Sequence, residues 1–317
     1  MRDITYKQIT LRTAQAIAMV VCSDETIDLI TEDRLPKGNL LDIAKAAGFL
    51  AAKNTHNLIP HCHPVSIDGL SITFQLKKSF EPAINLSDDL QNKSGVIILV
   101  EGKSIGRTGI EMEALTAASI AALTIYDLLK PLGQSGLEIT SVRLLEKTGG
   151  KTDKAKYLKS TKRTAVLVCS DSTAAGTRED KSGLLIKEIL LQNNCEILDY
   201  QIVPDDKQTI QAQIKKWAAE DISFIFTTGG TGLSPRDNTV DAVKEIIEKD
   251  APGIAEAMRV HGGMRTPLAM MSRSIAGSIG QSLVITLPGS TNGVQESLDA
   301  ILPSVFHAKS MIRGGGH

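Results

Sequence analysis

Carboxylates and a lysine stand at the two ends of one apolar run in the first half of this 317-residue chain. Glu111 and Glu113 open the run, and Asp127 and Lys130 close it; Leu115, Ala118, Ala122 and Ile125 recur between them every three or four residues. That spacing predicts a helix with one buried face, entered through a Thr108-Gly109 turn. Carboxylates two apart on a helix diverge by roughly 160°, so Glu111 and Glu113 do not share one site. Asp127 and Lys130, three apart, can meet on one face and handle a proton together. From Glu113 to Asp127 a helix rises about 21 Å. One small ligand can hardly touch both ends, so if both serve one site, two subunits build it. A core helix with solvated, charged ends is the alternative, and the residues alone leave both open.

A different chemistry is spelled out in the second half. Gly229-Gly230-Thr231-Gly232 follows an apolar run, and the N–H groups of such a turn can close on phosphate oxygens where no Cβ intrudes. Asp205 and Asp237 stand near strand ends, and two carboxylates beside a phosphate cradle suit Mg²⁺, which takes one or two carboxylates with phosphate oxygens and water. Asp205 and Asp206 also fit a Pro-Asp turn, and Asp237 a helix N-cap. In the first half His61-Cys62-His63 is too tightly spaced for the usual zinc patterns, so no zinc is expected there.

These residues need elements to carry them. Ala165–Cys169, Ile197–Val203, Ile222–Thr227 and Ser282–Leu287 read as strands and Leu184–Leu191 as a helix. Strands ending in glycine-rich turns before helices predict a three-layer α/β domain with a mostly parallel sheet, its ligands bound beyond the strands' carboxyl ends. Residues 147–163 are rich in Lys, with a Gly pair and almost no apolar side chains. The expected layout is therefore a first domain over 1–156, a tether over 157–163 and a second domain over 164–317, with Lys154, Lys156, Lys159 and Lys162 in solvent. A net charge of −1 and 3% aromatic residues argue against nucleic acid or an anionic membrane as partner. The N-terminus has no apolar signal segment, and no run approaches the length of about 18 residues that suggests a membrane span. Four scattered cysteines without a CxxC pair complete the expectation of a reduced, cytoplasmic protein.

Longer stretches carry resemblances. The run Gly109-Ile110-Glu111-Met112-Glu113-Ala114-Leu115 through Tyr126-Asp127 and Lys130 resembles the cyclic pyranopterin monophosphate synthase family of molybdenum cofactor biosynthesis. So do Leu58 to Pro64, where the family usually has Leu in place of His61, the turn at Lys37-Gly38, and Leu144 to Lys151. The second half, from 164 to about 312, resembles the molybdopterin adenylyltransferase family through Thr227 to Gly232 and Pro235-Arg236-Asp237, with comparable segments at Ser170-Asp171, Asp180 to Gly183, Ser272-Arg273 and Pro288-Gly289-Ser290. Asn238-Thr239-Val240 departs from that family's more usual Val-Thr-Pro, and Thr291 stands where Pro often follows.

The resemblances imply a bifunctional enzyme. The first domain, of α+β ferredoxin-like fold, would convert 3′,8-cyclo-7,8-dihydro-GTP to cyclic pyranopterin monophosphate and pyrophosphate. Lys37 and Lys147 would bind phosphate with Lys151 auxiliary, Asp127 and Lys130 would move protons, and His61, Cys62, His63, Glu111, Met112 and Glu113 would hold the substrate. The second domain would adenylylate molybdopterin with Mg-ATP. Asp205 and Asp237 would be catalytic and hold Mg²⁺, while Gly229, Gly230, Thr231, Gly232 and Ser290 would seat substrate. The first family implies a homohexamer. A scaffold that binds the pterin without adenylylating it is the competing reading of the second half.

Overall fold

The computed structural model describes residues 1–35, 38–83, 85–133, 135–150 and 155–315. The chain divides into two compact units, Met1–Thr152 and Asp153–His317.

The first unit is a four-stranded antiparallel sheet with helices on one face. Its elements run β1 (Thr10–Val21), α1 (Asp24–Thr31), α2 (Leu40–Lys53), α3 (Thr55–Leu58), β2 (Gly69–Lys77), β3 (Gly95–Gly106), α4 (Glu111–Leu129) and β4 (Glu138–Thr148). The strand order β2-β3-β1-β4 is the split βαββαβ arrangement of the ferredoxin-like fold. Alternate residues of β1 choose the face: Ala14, Ala16, Ala18 and Val20 pack under α2 and α4, while Ile17 and Met19 face the other layer, where Ala83, Leu86 and Leu90 cover them. In α4, Ala114, Ala117, Ala118, Ala121, Ala122 and Ile125 are fully buried, so a small-residue face lets the helix lie close on the sheet. Pro131 and Gly133, the latter at φ +68°, end it beyond Lys130. By length and composition Glu111–Leu132 is apolar enough to cross a membrane, which corrects the expectation that no run approaches that length. In this fold it is the central core helix.

The second unit has three layers. A six-stranded sheet of order β6-β5-β7-β10-β9-β8 is made from β5 (Lys162–Cys169), β6 (Cys195–Val203), β7 (Phe224–Thr228), β8 (Lys249–Asp250), β9 (Ala276–Ile279) and β10 (Ser282–Leu287). The first four in that order run parallel, as expected; β9 and β8 form an antiparallel edge that the apolar runs did not announce. Ile186 and Leu190 of α6 (Ser182–Gln192), Met258 of α9 (Pro252–Gly263) and Leu298 of α10 (Thr291–Ile301) pack in one core. Ile210, Ile214 and Trp217 of α7 (Lys207–Ala219) and Val243 of α8 (Thr239–Lys244) pack in the other. A short helix, α5 (Asp171–Ala174), follows β5.

Segment 157–163 is not a free tether. Lys162, expected in solvent, is 3% exposed in β5; its Nζ donates to the carbonyls of Tyr157 and Ser160 and lies 5.3 Å from the Phe306 ring centroid. Asn194 Nδ2 donates to Leu158 O at 2.8 Å, and Tyr157 packs on His307. An ammonium with two carbonyl acceptors under an aromatic face is held well enough to be buried, and the backbone before β5 is folded over it. Lys162→Met is accordingly expected to destabilise the second unit by about 2–3 kcal/mol, through carbonyls left without their donor. Urea unfolding followed by the fluorescence of Trp217 checks this; an unchanged midpoint would return the segment to the role of tether.

Candidate active sites

At the amino end of α4 the first unit gathers a polar cluster. Gly109 makes room for it, because a Cβ there would lie 1.8 Å from Glu111 Oε2. The Glu111 carboxylate folds back over this turn and takes an ion pair from Lys147 of β4, with Nζ 3.1 Å from Oε1. Glu113 turns the other way, as the two-residue spacing requires, and is only 3% exposed. Burial, followed by the Glu111 charge, raises its carboxyl above the ordinary range, and its own backbone N–H and His56 offset part of this. The Cys62 thiol is also raised, by burial and then by the Glu113 charge. His63 and Cys62 are half-buried, while His61 and Met112 are exposed. Thus Glu111, Glu113, Cys62 and Lys147 form one region. Among the described residues no group of three or more His, Cys, Asp or Glu is arranged to hold a metal ion.

Asp127 and Lys130 stand at the far end of α4, 3.8 Å apart and about two-thirds exposed. The helix keeps them away from Glu113, so one chain does not bring the two sets together. Lys37 and Lys151 lie outside the described residues. Sequence reasoning missed Arg12, which is 8% exposed and donates through Nε to Gly106 O at 3.2 Å. Gly149 and Gly150 lie against it at φ +92° and +67°, and a Cβ on Gly150 would come within 1.8 Å of Arg12 Nη1. The Gly pair of the Lys147–Lys151 motif is therefore shaped around a buried guanidinium. An arginine in register with inward-facing Ala14 was the available signal.

The Glu113 carboxyl has a consequence for stability. With its folded pKa above the ordinary 4.5, it favours the fold only while protonated. That contribution is complete below the unfolded value and is lost as pH rises through the raised folded value. Glu113→Gln removes the buried charge, so its melting temperature is expected to exceed the parent's at pH 8 and to match it at pH 4. Calorimetry at the two pH values decides; a variant less stable at pH 8 would mean that the charge is compensated.

In the second unit the candidate residues converge at the carboxyl ends of the four parallel strands. Gly229 and Gly230 leave β7 with φ of +91° and +61°. A Cβ on Gly229 would sit 2.1 Å from Cys169 O at the end of β5, and one on Gly289, after β10, 3.3 Å from Gly229 Cα. The two turns touch because neither carries a side chain. Thr231 is 6% exposed, and its carbonyl accepts from Arg273 N–H at 3.1 Å. The Arg273 guanidinium reaches Gly232 O at 3.4 Å and pairs with Asp241 at 2.6 Å. Ser290 caps α10, accepting from Gly293 N–H at 3.2 Å.

Both aspartates lie beside this cradle. Asp237 Oδ2 accepts from Ser234 N–H at 2.7 Å, closing its own turn; the residue preceding α8 is Asn238, so Asp237 is not that helix's cap. Asp206 caps α7 through Thr209 N–H at 2.8 Å, which leaves Asp205 for the site. Asp205 and Asp171 are locked reciprocally, Asp205 N–H to Asp171 Oδ1 at 2.9 Å and Asp171 N–H to Asp205 Oδ2 at 3.2 Å. Burial first, then the charges of Asp171 and Asp237, raise the Asp205 carboxyl; the Asp171 N–H and Arg236 act against this. Asp205 Oδ1 is buried with no hydrogen-bond partner among the described residues. A carboxylate oxygen withheld from water, next to a second carboxylate and a glycine cradle, fits one ligand position of a Mg²⁺ ion whose other ligands come from phosphate and water. Asp171 was missed as a partner because only the tertiary fold sets the end of β5 against that of β6.

Fold and candidate sites define a protein of two units, each with a cluster of polar residues, the second at the carboxyl ends of an open α/β sheet. Residues 1–150 match the MoaC family, and residues 165–307 match the probable molybdopterin binding domain. A molybdenum cofactor biosynthesis bifunctional protein of Chlorobaculum tepidum is 41% identical over 317 residues, covering 100% of this chain and 96% of the relative. One of the same name from Synechococcus elongatus is 35% identical over 328 residues, covering 100% and 98%. A cyclic pyranopterin monophosphate synthase of Cereibacter sphaeroides is 43% identical over 152 residues, 48% of this chain and 87% of the relative. The chain belongs to the family of bifunctional molybdenum cofactor biosynthesis proteins, and both resemblances read from its motifs are borne out.

Proposed function

We propose that the first unit converts 3′,8-cyclo-7,8-dihydro-GTP to cyclic pyranopterin monophosphate, and that the second adenylylates molybdopterin with Mg-ATP. In the first reaction Lys147, with Lys37 and Lys151, balances the triphosphate, whose outer two phosphates leave as pyrophosphate while its α-phosphorus stays in the cyclic monophosphate. Glu113, Cys62 and His63 hold the ring end, and Asp127 and Lys130 handle protons. Because these sets occupy opposite ends of α4, the working form is an oligomer whose sites are shared between subunits, a cytoplasmic homohexamer. The synthase named in Cereibacter sphaeroides supports this assignment for the first half.

In the second reaction a terminal phosphate oxygen of molybdopterin attacks the α-phosphorus of ATP; the new P–O bond forms as the bond to pyrophosphate breaks. The glycine turns at 229–232 and Ser290 seat phosphate. Asp205 and Asp237 would hold Mg²⁺, which when bound supplies charge neutralisation at the phosphates. The observation that carries this reading is the buried Asp205 Oδ1, without a hydrogen-bond partner among the described residues, beside Asp237 and the cradle. Addition of the dithiolene sulfurs falls between the two reactions, so no direct transfer between the units is implied.

The deciding experiment incubates purified protein with molybdopterin and Mg-ATP and follows AMP-molybdopterin and pyrophosphate. Both products are expected, and both should vanish with EDTA. Tight molybdopterin binding without either product would make the second unit a scaffold and leave catalysis to the first.

A further inference from the structure

An Asn just before a helix ordinarily accepts a hydrogen bond from the helix's first turn. Asn238 precedes α8 and makes no such bond. Its Nδ2 donates instead to the main-chain O of Asp205, 33 residues away in sequence, at 2.9 Å. Asp205 is gripped from the other side by Asp171, through its N–H and its Oδ2. Main-chain N–H, main-chain O and one carboxylate oxygen of Asp205 are thus all engaged, and Oδ1 is the atom left over. Asn238 also directly follows Asp237, whose carboxylate is tied into the Ser234 turn. The amide therefore joins the loop that carries one candidate metal-binding carboxylate to the loop that carries the other.

We propose that Asn238 is a positioning residue that fixes the separation of the Asp205 and Asp237 carboxylates and so sets the affinity of the second unit for a divalent cation. This rests on the Mg-ATP reading of that unit. Without the bridge, the direct tie from the Asp205 main chain to the residue after Asp237 is gone, and a cation that needs both carboxylates must first bring two loops into register.

Asn238→Leu keeps most of the volume and removes the donor, and Asn238→Ala, which adds no bulk, is read in parallel so that a packing clash does not decide the outcome. Mn²⁺ binding to the full chain, with a non-hydrolysable ATP analogue present, is titrated by electron paramagnetic resonance. Both variants are expected to bind Mn²⁺ about fivefold more weakly, the worth of one neutral hydrogen bond. The analogue's affinity without metal should not change. Amide exchange should quicken at Asp205 but not at Gly183, whose N–H is held by Asp180 in a separate turn. Mn²⁺ affinities equal to the parent's in both variants would overturn the proposal. A parent chain that transfers no AMP, combined with weaker Mn²⁺ binding in the variants, would sink the adenylylation reading and uphold the role of Asn238. A parent that binds no Mn²⁺ with the analogue would sink both.

Discussion

Glu113→Ala and Lys130→Ala chains, mixed in equal amounts and allowed to exchange subunits, are expected to recover about a quarter of the parent's rate of cyclic pyranopterin monophosphate formation. Each variant alone is expected to lose at least about a hundredfold, Lys130→Ala through loss of a proton-handling group and Glu113→Ala through loss of a group that positions the ring. The reason lies in α4. Glu113 is buried at its amino end among Cys62, His56 and Glu111, whereas Lys130 lies beyond its carboxyl end, 3.8 Å from Asp127. The helix between them is continuous, with buried residues from Glu113 to Leu129, so no rearrangement within one chain closes a gap of about 25 Å. If each site takes the amino end of one α4 and the carboxyl end of another, a mixed pair contains one site with both lesions and one with neither. Half the pairs are mixed and half their sites are intact, hence the quarter. No recovery on mixing, with both variants folded, would place the whole reaction in one chain. A loss smaller than tenfold in Lys130→Ala or Asp127→Ala would remove that pair from the mechanism.

Asp237→Ala is expected to reduce AMP transfer to molybdopterin by about a thousandfold, the scale on which loss of a preorganised electrostatic group is felt in the transition state. Molybdopterin binding should weaken by no more than a few-fold, because the Gly229–Gly230 and Gly289–Ser290 turns owe their geometry to close backbone approach and not to Asp237. Asp205→Asn should lose transfer to a similar extent. It keeps the side-chain oxygen that accepts from Asp171 N–H while removing the charge beside Asp237. Rates from single-turnover assays and affinities from molybdopterin fluorescence separate the two effects. Asp237→Ala with transfer within tenfold of the parent would take the carboxylate pair out of the chemistry.

Much of this was legible in the chain itself. The period of Leu115, Ala118, Ala122 and Ile125 fixes α4, and continuous apolar runs fix β5, β7 and β10, because helix and buried-strand patterns are local consequences of which face must leave water. Glycines at positive φ mark the 229–230 turn for the same local reason. The divergence of Glu111 from Glu113 and the distance between the ends of α4 followed from helix geometry alone. Only the tertiary structure decided which polar groups are buried and what they hold. Lys77 is fully buried and donates to Gln91 O and Lys93 O, 14 and 16 residues away. Lys162 reads as tether and is a clamp; Arg12 lies beneath Gly149 and Gly150; Asn238 reaches across to Asp205. Lys77, Arg12 and Asn238 each donate to a main-chain oxygen 14 or more residues away, and Lys162 donates to two main-chain oxygens two and five residues before it. A carbonyl oxygen has no residue type to reveal it, so its pairing with a buried cation or amide exists only once the chain has folded.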